Sequence, residues 1–354
     1  MTAADAPSTT AHADLVRLDR LGPALATALG DDRWTAATAT LIAGGKSNLT
    51  FFLRCPAGSV VLRRPPAGPL LPSAHDMGRE ARVQKALAGT PVPVAPVVLQ
   101  DTTGDLIGVP FYVMREVPGR VVRDELPTGY ADTEDDRRRL GEALLDTLVA
   151  VHAVDQAAVG LGDFGRPEGF LARQLRRWQG QSEASRTVEV PDLDRLAAGL
   201  AAAVPDSPAP TIVHGDFRLD NCLLAPEDPG TVAAVLDWEL STLGDPLTDL
   251  ALLLFYWREA GERQLSLTPT VTQLPGFPTR EQLIERYAER SGRDVAELDW
   301  YRAFAHFKFA VIAQGIASRV AAGSMAGQDF GDLDEEIRQI AAEGVGLLPG
   351  GATA

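Results

Sequence analysis

Positive charge is what this chain is short of. Its 33 Lys and Arg residues face 48 Asp and Glu, a formal net charge of −15. That excludes nucleic acid and anionic membrane as main partners, because both require a basic footprint. Cysteine is almost absent. Cys55 and Cys222 stand far apart with no zinc-ligand spacing and no disulfide framework. No apolar run reaches the ~18 residues that a membrane span needs. The opening MTAADAPSTTAHAD has neither the basic region nor the apolar core of a signal peptide, so a cytoplasmic location is expected. Repeats and low-complexity tracts are also missing. What remains is 45% hydrophobic and 23% charged over 354 residues, the balance of a globular chain with about two domains.

The pattern changes along the chain. Leu15 to Leu29 carries apolar residues at helical spacing, with Gly30 placed to end the helix. TATLIAGGKSNLTFFLRCPAGSVVLRRPP then reads as strand, turn, strand, turn, strand, with Pro56–Gly58 as the hairpin turn. HDMGREARVQKALAG follows as a helix whose Met77, Glu80, Ala81, Gln84 and Leu87 share one face. Two further extended segments, VPVAPVVLQD and VPFYVMREVPG, complete a five-stranded sheet with one helix inserted after its third strand. Beyond Pro118–Gly119 the chain is mostly helical. The strand-like exceptions are Thr211–Val213, Cys222–Leu224 and Val232–Leu236.

Those three strands flank the residues that carry chemistry. IVHGDFRLDN places Asp216 just after an apolar strand and Asn221 five residues further on, and the next strand ends at Asp237. A carboxylate, an amide and a second carboxylate in this order suit phosphoryl transfer. Asp216 can take a proton from an acceptor hydroxyl, while Asn221 and Asp237 offer hard oxygen ligands to Mg²⁺. Taken singly, each aspartate is equally well read as a cap or turn residue.

The segments GGKSNLT, VLRRPP, AHDMGREARV, PFYVMREVPG, VHGDFRLDN and LDWELSTLGDPLTDLA run in one order over roughly residues 36–255. As a set they resemble the aminoglycoside phosphotransferase family, and within it the branch of kinase-like domains fused to acyl-CoA dehydrogenases. The resemblance implies an α+β, protein-kinase-like two-lobed fold. A small N-terminal five-stranded antiparallel sheet with a helix would precede a larger, mainly helical C-terminal lobe. Its expected division is a tail and helix at 1–35, a nucleotide-binding lobe at 36–117, a catalytic and acceptor-binding lobe at 118–346, and a flexible tail at 347–354.

The resemblance also implies roles. Gly44, Gly45, Ser47 and Asn48 would cover phosphates. Arg63 stands where most kinases carry lysine, with Arg64 the alternative one residue on and on the opposite face. Glu80 would pair with Arg63, or else lie solvated at the rim. Met114, Arg115 and Val117 would receive adenine, largely through backbone groups. Asp216 would be the base, and Arg218 would order the loop or touch substrate. Asn221 and Asp237 would hold Mg²⁺, with Glu239 a lesser candidate. The donor would be ATP, GTP not being excluded. His214, His152, Cys222, Asp245 and Asp249 read as architecture, with Asp245–Pro246 starting a helix and Asp249 bracing the catalytic loop.

The resemblance implies a small-molecule hydroxyl as the acceptor. An aminoglycoside pocket needs carboxylates, whereas the helix FLARQLRRWQGQ offers Arg173, Arg176, Arg177 and Trp178, with Arg166 just before it. That favours an anionic or acyl-CoA-like acceptor, unless these residues form only a solvated face. An aminoglycoside kinase and a nucleotide-binding pseudokinase are the alternatives. A monomer or homodimer is expected.

Overall fold

The computed structural model describes residues 13–42, 48–67, 75–323 and 330–349. The chain divides into two units, Met1–Pro118 with Ala234–Glu239, and Gly119–Ala233 with Leu240–Ala354. Gly44, Gly45 and Ser47 lie outside the described residues.

In the first unit α1 (Ala13–Val16) and α2 (Leu18–Leu29) precede a sheet of five antiparallel strands: β1 (Thr38–Leu41), β2 (Leu49–Cys55), β3 (Gly58–Arg64), β4 (Val97–Asp101) and β5 (Phe111–Arg115). Their order is β1-β2-β3-β5-β4, and α3 (Met77–Leu87) enters after β3. The β2–β3 turn is tighter than expected: Cys55 pairs with Gly58, so Gly58 opens β3 and only Pro56–Ala57 turn. The period of two then sorts the side chains. Val60, Leu62, Phe111 and Val113 join a core with Leu21, Leu25 and Trp34. On the opposite face Tyr112 packs with Met77 and Ala81 of α3. The alternation puts Arg63 on the α3 face and sends Arg64 the other way, where its Nη1 donates to the Leu15 carbonyl at 2.6 Å. The helical stripe Met77, Glu80, Ala81, Gln84 and Leu87 is buried throughout.

The second unit contains α4 (Glu134–His152), α5 (Phe170–Ser185), α6 (Pro191–Ala202), the short strands β6 (Thr211–Val213), β7 (Cys222–Ala225), β8 (Asp228–Val235, crossing into the first unit) and β9 (Thr242–Gly244), then α7 (Leu247–Tyr256), α8 (Arg280–Ser291), α9 (Leu298–Ala321) and α10 (Leu333–Gly346). β6 pairs antiparallel with β9, and β7 with β8. Helix α9 is buried over much of its length because α5, α6, α7 and α10 pack around it, with Asp299 and Arg319 exposed near its ends. Among the described residues, no helix is long and apolar enough to cross a membrane.

A buried carboxylate organises this unit. Asp249, one turn into α7, is 1% exposed and accepts the backbone N–H groups of His214 at 2.6 Å and Gly215 at 2.8 Å. His152 Nε2 lies 3.4 Å from it, and His152 Nδ1 is 2.9 Å from the Tyr287 hydroxyl. Burial alone would push the Asp249 carboxyl up, but His152 and the His214 amide hold it below its ordinary value. Asp245 acts one residue earlier than expected. The helix starts at Leu247, Pro246 caps it, and Asp245 accepts the Leu247 N–H at 3.0 Å and the Tyr301 hydroxyl at 2.7 Å.

Replacing Asp249 with Asn presents an amide NH₂ to backbone donors and leaves one of them without an acceptor. Asp249→Asn is expected to destabilise the second unit by about 2 kcal/mol, read from urea melts at pH 7. Because the folded carboxyl sits below the ordinary aspartate value, its stabilising contribution is present above that ordinary value and lost as pH falls through the folded pKa. The gap between wild type and variant should therefore close in acid. A gap that widened with acid would contradict this account.

Candidate active site

In the first unit Arg63 is the centre of a polar cluster. Its Nε lies 2.7 Å from Glu80 Oε2, and its Nη2 lies 2.5 Å from Asp237 Oδ1 and 3.8 Å from Glu239 Oε2. Glu80 is 1% exposed, so the alternative of a solvated rim residue does not hold. It also accepts the Tyr112 hydroxyl at 3.0 Å, and Gln84 Nε2 donates to that hydroxyl at 2.8 Å. Burial pushes the Glu80 carboxyl up to about 7 against the pull of Arg63, with Asp237 and Glu239 adding repulsion. Burial works to lower Arg63, but Glu80 and the other acids outweigh it and hold the guanidinium charged.

Asn48 departs from expectation. Its side chain is buried and does not stand ready for phosphate. Nδ2 donates to Glu80 Oε1 and to Glu239 Oε2, both at 3.1 Å, and Oδ1 lies 2.8 Å from His75 Nδ1. Asn48 thus ties two acids of the cluster together. The Arg115 N–H donates to the Pro96 carbonyl at 2.9 Å and is unavailable to an adenine. Val117 makes no backbone hydrogen bond among the described residues and is half-buried. Met114, partly buried, packs beside Met77, Ala81 and Tyr112.

Asp237 is held in an unusual backbone conformation. Its φ is 62°, one of four positive-φ non-glycine residues among those described. The segment around it is pinned on both sides. Val235 N–H donates to the Pro93 carbonyl at 2.8 Å, and the buried Trp238 donates its indole N–H to the Val235 carbonyl at 3.1 Å. Strain held in this way is commonly found where a side chain must be aimed.

In the second unit the loop after β6 presents Asp216. Gly215 has φ 86°, and a Cβ there would come within 2.8 Å of Leu240 Cβ and its carbonyl oxygen, so only glycine fits between His214 and Asp216. His214 is fully buried and its Nδ1 accepts the Asp216 N–H at 3.2 Å, which places the ring proton on Nε2. Asn221 Nδ2 donates to the Asp216 carbonyl at 2.8 Å and to Oδ2 at 3.0 Å. Arg218 Nε donates to the same Oδ2 at 3.2 Å, its Nη1 reaches Asp220 at 3.0 Å, and its guanidinium lies 4.9 Å over the Tyr256 ring. Asp216 therefore keeps Oδ1 unbonded. Cys222 is buried, and burial pushes its thiol well up, away from the reactive thiolate.

Each unit by itself offers a hard oxygen of the kind Mg²⁺ takes. With the Asn221 amide hydrogens turned to Asp216, its Oδ1 is uncommitted, and Asp237 keeps Oδ2 uncommitted while Oδ1 meets Arg63. Both are hard oxygens. No cluster of three or more His, Cys, Asp or Glu side chains among the described residues could hold an ion alone. Mg²⁺ is commonly held by one or two carboxylates and substrate phosphates instead of an all-protein cage.

One residue was missed by sequence reasoning. Lys308 of α9 donates from Nζ to the Gly215 carbonyl at 3.0 Å, next to Asp216. It sits in the apolar run FKFAVIA, and its partner is 93 positions away, so no local pattern announces it.

Comparison with known proteins agrees with this arrangement of elements. Residues 38–304 match the model of the phosphotransferase enzyme family. Acyl-CoA dehydrogenase family member 11 of Rattus norvegicus is 38% identical over 322 residues, which are 90% of this chain and 41% of the rat protein. The chain thus spans less than half the length of that relative. A crystal structure from Ralstonia eutropha JMP134, provisionally named an aminoglycoside phosphotransferase, is 34% identical with a TM-score of 0.76, covering 87% of this chain and 91% of that one. A thermostable mutant of aminoglycoside phosphotransferase APH(4)-Ia, solved in ternary complex with ADP and hygromycin B, shares the fold. It is 16% identical with a TM-score of 0.59, over 94% of this chain and 99% of its own. With the family's sheet, helices and ordered motifs all present, the chain belongs to the phosphotransferase enzyme family.

Proposed function

We propose that this chain is a Mg²⁺- and ATP-dependent small-molecule kinase that transfers the γ-phosphoryl group to a hydroxyl of an acceptor. The observation that carries the reading is the Asp216 loop. Its carboxylate is fixed through Oδ2 by Asn221 and Arg218, leaving Oδ1 unbonded as a proton acceptor. In this reading Oδ1 takes the hydroxyl proton as the acceptor oxygen attacks phosphorus and the ADP oxygen leaves. Arg218 and the backbone around Gly215 keep the carboxylate aimed. Arg63, held by Glu80, meets the donor phosphates, and the backbone of Val117 receives the base. Asn221 and Asp237 would be the residues to hold Mg²⁺, which would supply neutralisation of the β- and γ-phosphate charge.

For the acceptor, the exposed Arg176 and Arg177 on α5 favour an anionic molecule over a polycation. The name of the Ralstonia structure supports the second reading, an aminoglycoside O-phosphotransferase. Phosphoryl transfer from [γ-³²P]ATP with Mg²⁺ over hydroxy acids, hydroxyacyl-CoAs and aminoglycosides separates the two. No transfer to any acceptor, with no nucleotide-dependent thermal shift, would overturn the kinase reading.

Two variants test the residue roles. Asp216→Asn should lower kcat by about 10³ while leaving the Mg-ATP thermal shift intact. Asp237→Ala should instead abolish the shift itself, measured by calorimetry or melting. Wild-type turnover in both would refute the assignment.

Arg63→Lys tests the departure from lysine. Glu80 and Asp237 are met by different nitrogens of one guanidinium fork, which a single ammonium cannot span. The variant should melt earlier and raise the KM for ATP several-fold, although lysine is the usual residue at this position in kinases. An unchanged KM would show that the fork is not what the site uses.

A further inference from the structure

Lysine is scarce here: Lys46, Lys85 and Lys308 are the only lysines among 33 basic residues. Arginine does nearly all the basic work, which makes the position of Lys308 informative. Its Nζ donates to the Gly215 carbonyl and lies 5.7 Å from the centre of the Trp178 ring on α5. The guanidinium of Arg177 lies 5.9 Å from the same ring. An ammonium has three N–H donors. One is spent on Gly215, and no other acceptor bonds Nζ among the described residues. The charged groups facing it are Asp216, Asp249 and Arg177. Burial pushes the amine below the usual lysine value, Asp216 and Asp249 pull it back, and Arg177 adds to the fall.

Lys308 is half-buried, so the N–H donors that no protein acceptor takes are both partly shielded from water and open to an anion. In the cavity of about 350 Å³ lined by α7, α9 and α10, Arg258 and Arg280 are both paired with Glu262. Lys308 differs because its neighbours are the loop of the base and an indole wall. We propose that Lys308, with Trp178 and Arg177, forms a subsite for an anionic group of the acceptor. The substrate is then a hydroxyl compound carrying a carboxylate or phosphate a short carbon skeleton away from the hydroxyl that reaches Asp216. The indole face packs the skeleton, Lys308 meets the anion, and the bond to Gly215 keeps this cation in register with the base. The inference rests on the kinase reading and names its acceptor class.

The test uses the full chain and does not require turnover. Pyridoxal 5′-phosphate, an anionic aldehyde, is allowed to condense with amines, reduced with borohydride and mapped by peptide mass spectrometry. With three lysines the readout is unambiguous. Lys308 should be the lysine trapped fastest. Either 3-hydroxybutyrate or glycerol 3-phosphate should slow its labelling about tenfold, the strength of one charge-assisted hydrogen bond. Neutral 3-hydroxybutyramide and glycerol should not. Which anion protects distinguishes a carboxylate from a phosphate acceptor. Lys308→Met should lose that labelled peptide and keep its Mg-ATP thermal shift. If that variant fails to fold, the wild-type protection pattern decides alone. An unreactive Lys308, protection by neither anion, or equal protection by the neutral analogues overturns the subsite. Protection by Mg-ATP alone overturns it too, moving Lys308 to the donor phosphates while leaving the kinase reading intact. Failure of the kinase reading is read separately, as the absence of any Mg-ATP thermal shift in the wild type.

Discussion

One carboxylate carries the geometry of the second unit. Asp249 accepts two consecutive backbone N–H groups, from His214 and Gly215, where the chain leaves β6 and turns. Those amides would otherwise be buried without partners, and the carboxylate would be a buried charge without compensation. Each cost cancels the other, which is why a fully enclosed aspartate is stable there. The remainder follows in order. Leu240 closes one side of Gly215, Lys308 bonds its carbonyl, His214 takes the Asp216 N–H, and Asn221 and Arg218 fix the carboxylate that results. The loop around Asp216 is held because its backbone polar groups are assigned one by one, with little contribution from helix or sheet.

The first unit solves the opposite problem. There one guanidinium, Arg63, faces three acids, Glu80, Asp237 and Glu239, and Asn48 links two of them. The imbalance is visible in Glu80, which burial and its acidic neighbours push up to about 7. Such a cluster gains from a further cation, and a divalent ion at Asp237 would reverse the electrostatics of the whole group. The positive φ of Asp237 fits this reading, since a conformation that costs energy is retained where the aim of a side chain matters.

Much of this was legible in the residues, and what was not had physical causes. Period two along β3 separated Arg63 from Arg64, and the helical stripe put Glu80 on the face that meets the sheet. These are local rules acting over fewer than a dozen residues. The side chain of Asn48 was misread because its second partner, Glu239, is 191 positions away. Strand β9, only Thr242–Gly244, is too short to show alternation and exists because β6 needs a partner. Helix α10 went unread despite Ile337, Ile340, Ala341 and Val345 at helical spacing, since its apolar face acquires meaning only against α9 and α6. Lys308 was hidden by its surroundings: it stands inside the apolar run FKFAVIA, and its bond partner Gly215 is 93 positions away.

The distribution of charge bears most directly on the acceptor. The chain is strongly acidic overall, yet its excess acids on exposed helices are matched locally, as with Asp135 and Glu142 by Arg138 or Asp192 by Arg195. Surface pairs of this kind contribute little energy and much solubility. Around Asp216 basic groups gather among the acids. Arg218 bonds the carboxylate directly, Arg123 reaches Asp220 at 3.9 Å, and Lys308 and Arg177 flank Trp178. A polycationic acceptor approaching Asp216 would meet these charges at close range in a partly enclosed setting, where repulsion is weakly screened. An anionic acceptor, the class proposed above, would meet the same charges as attraction. Under that proposal the local gathering of basic groups would be a specificity element, costing a polycation most at the place where its hydroxyl would have to go.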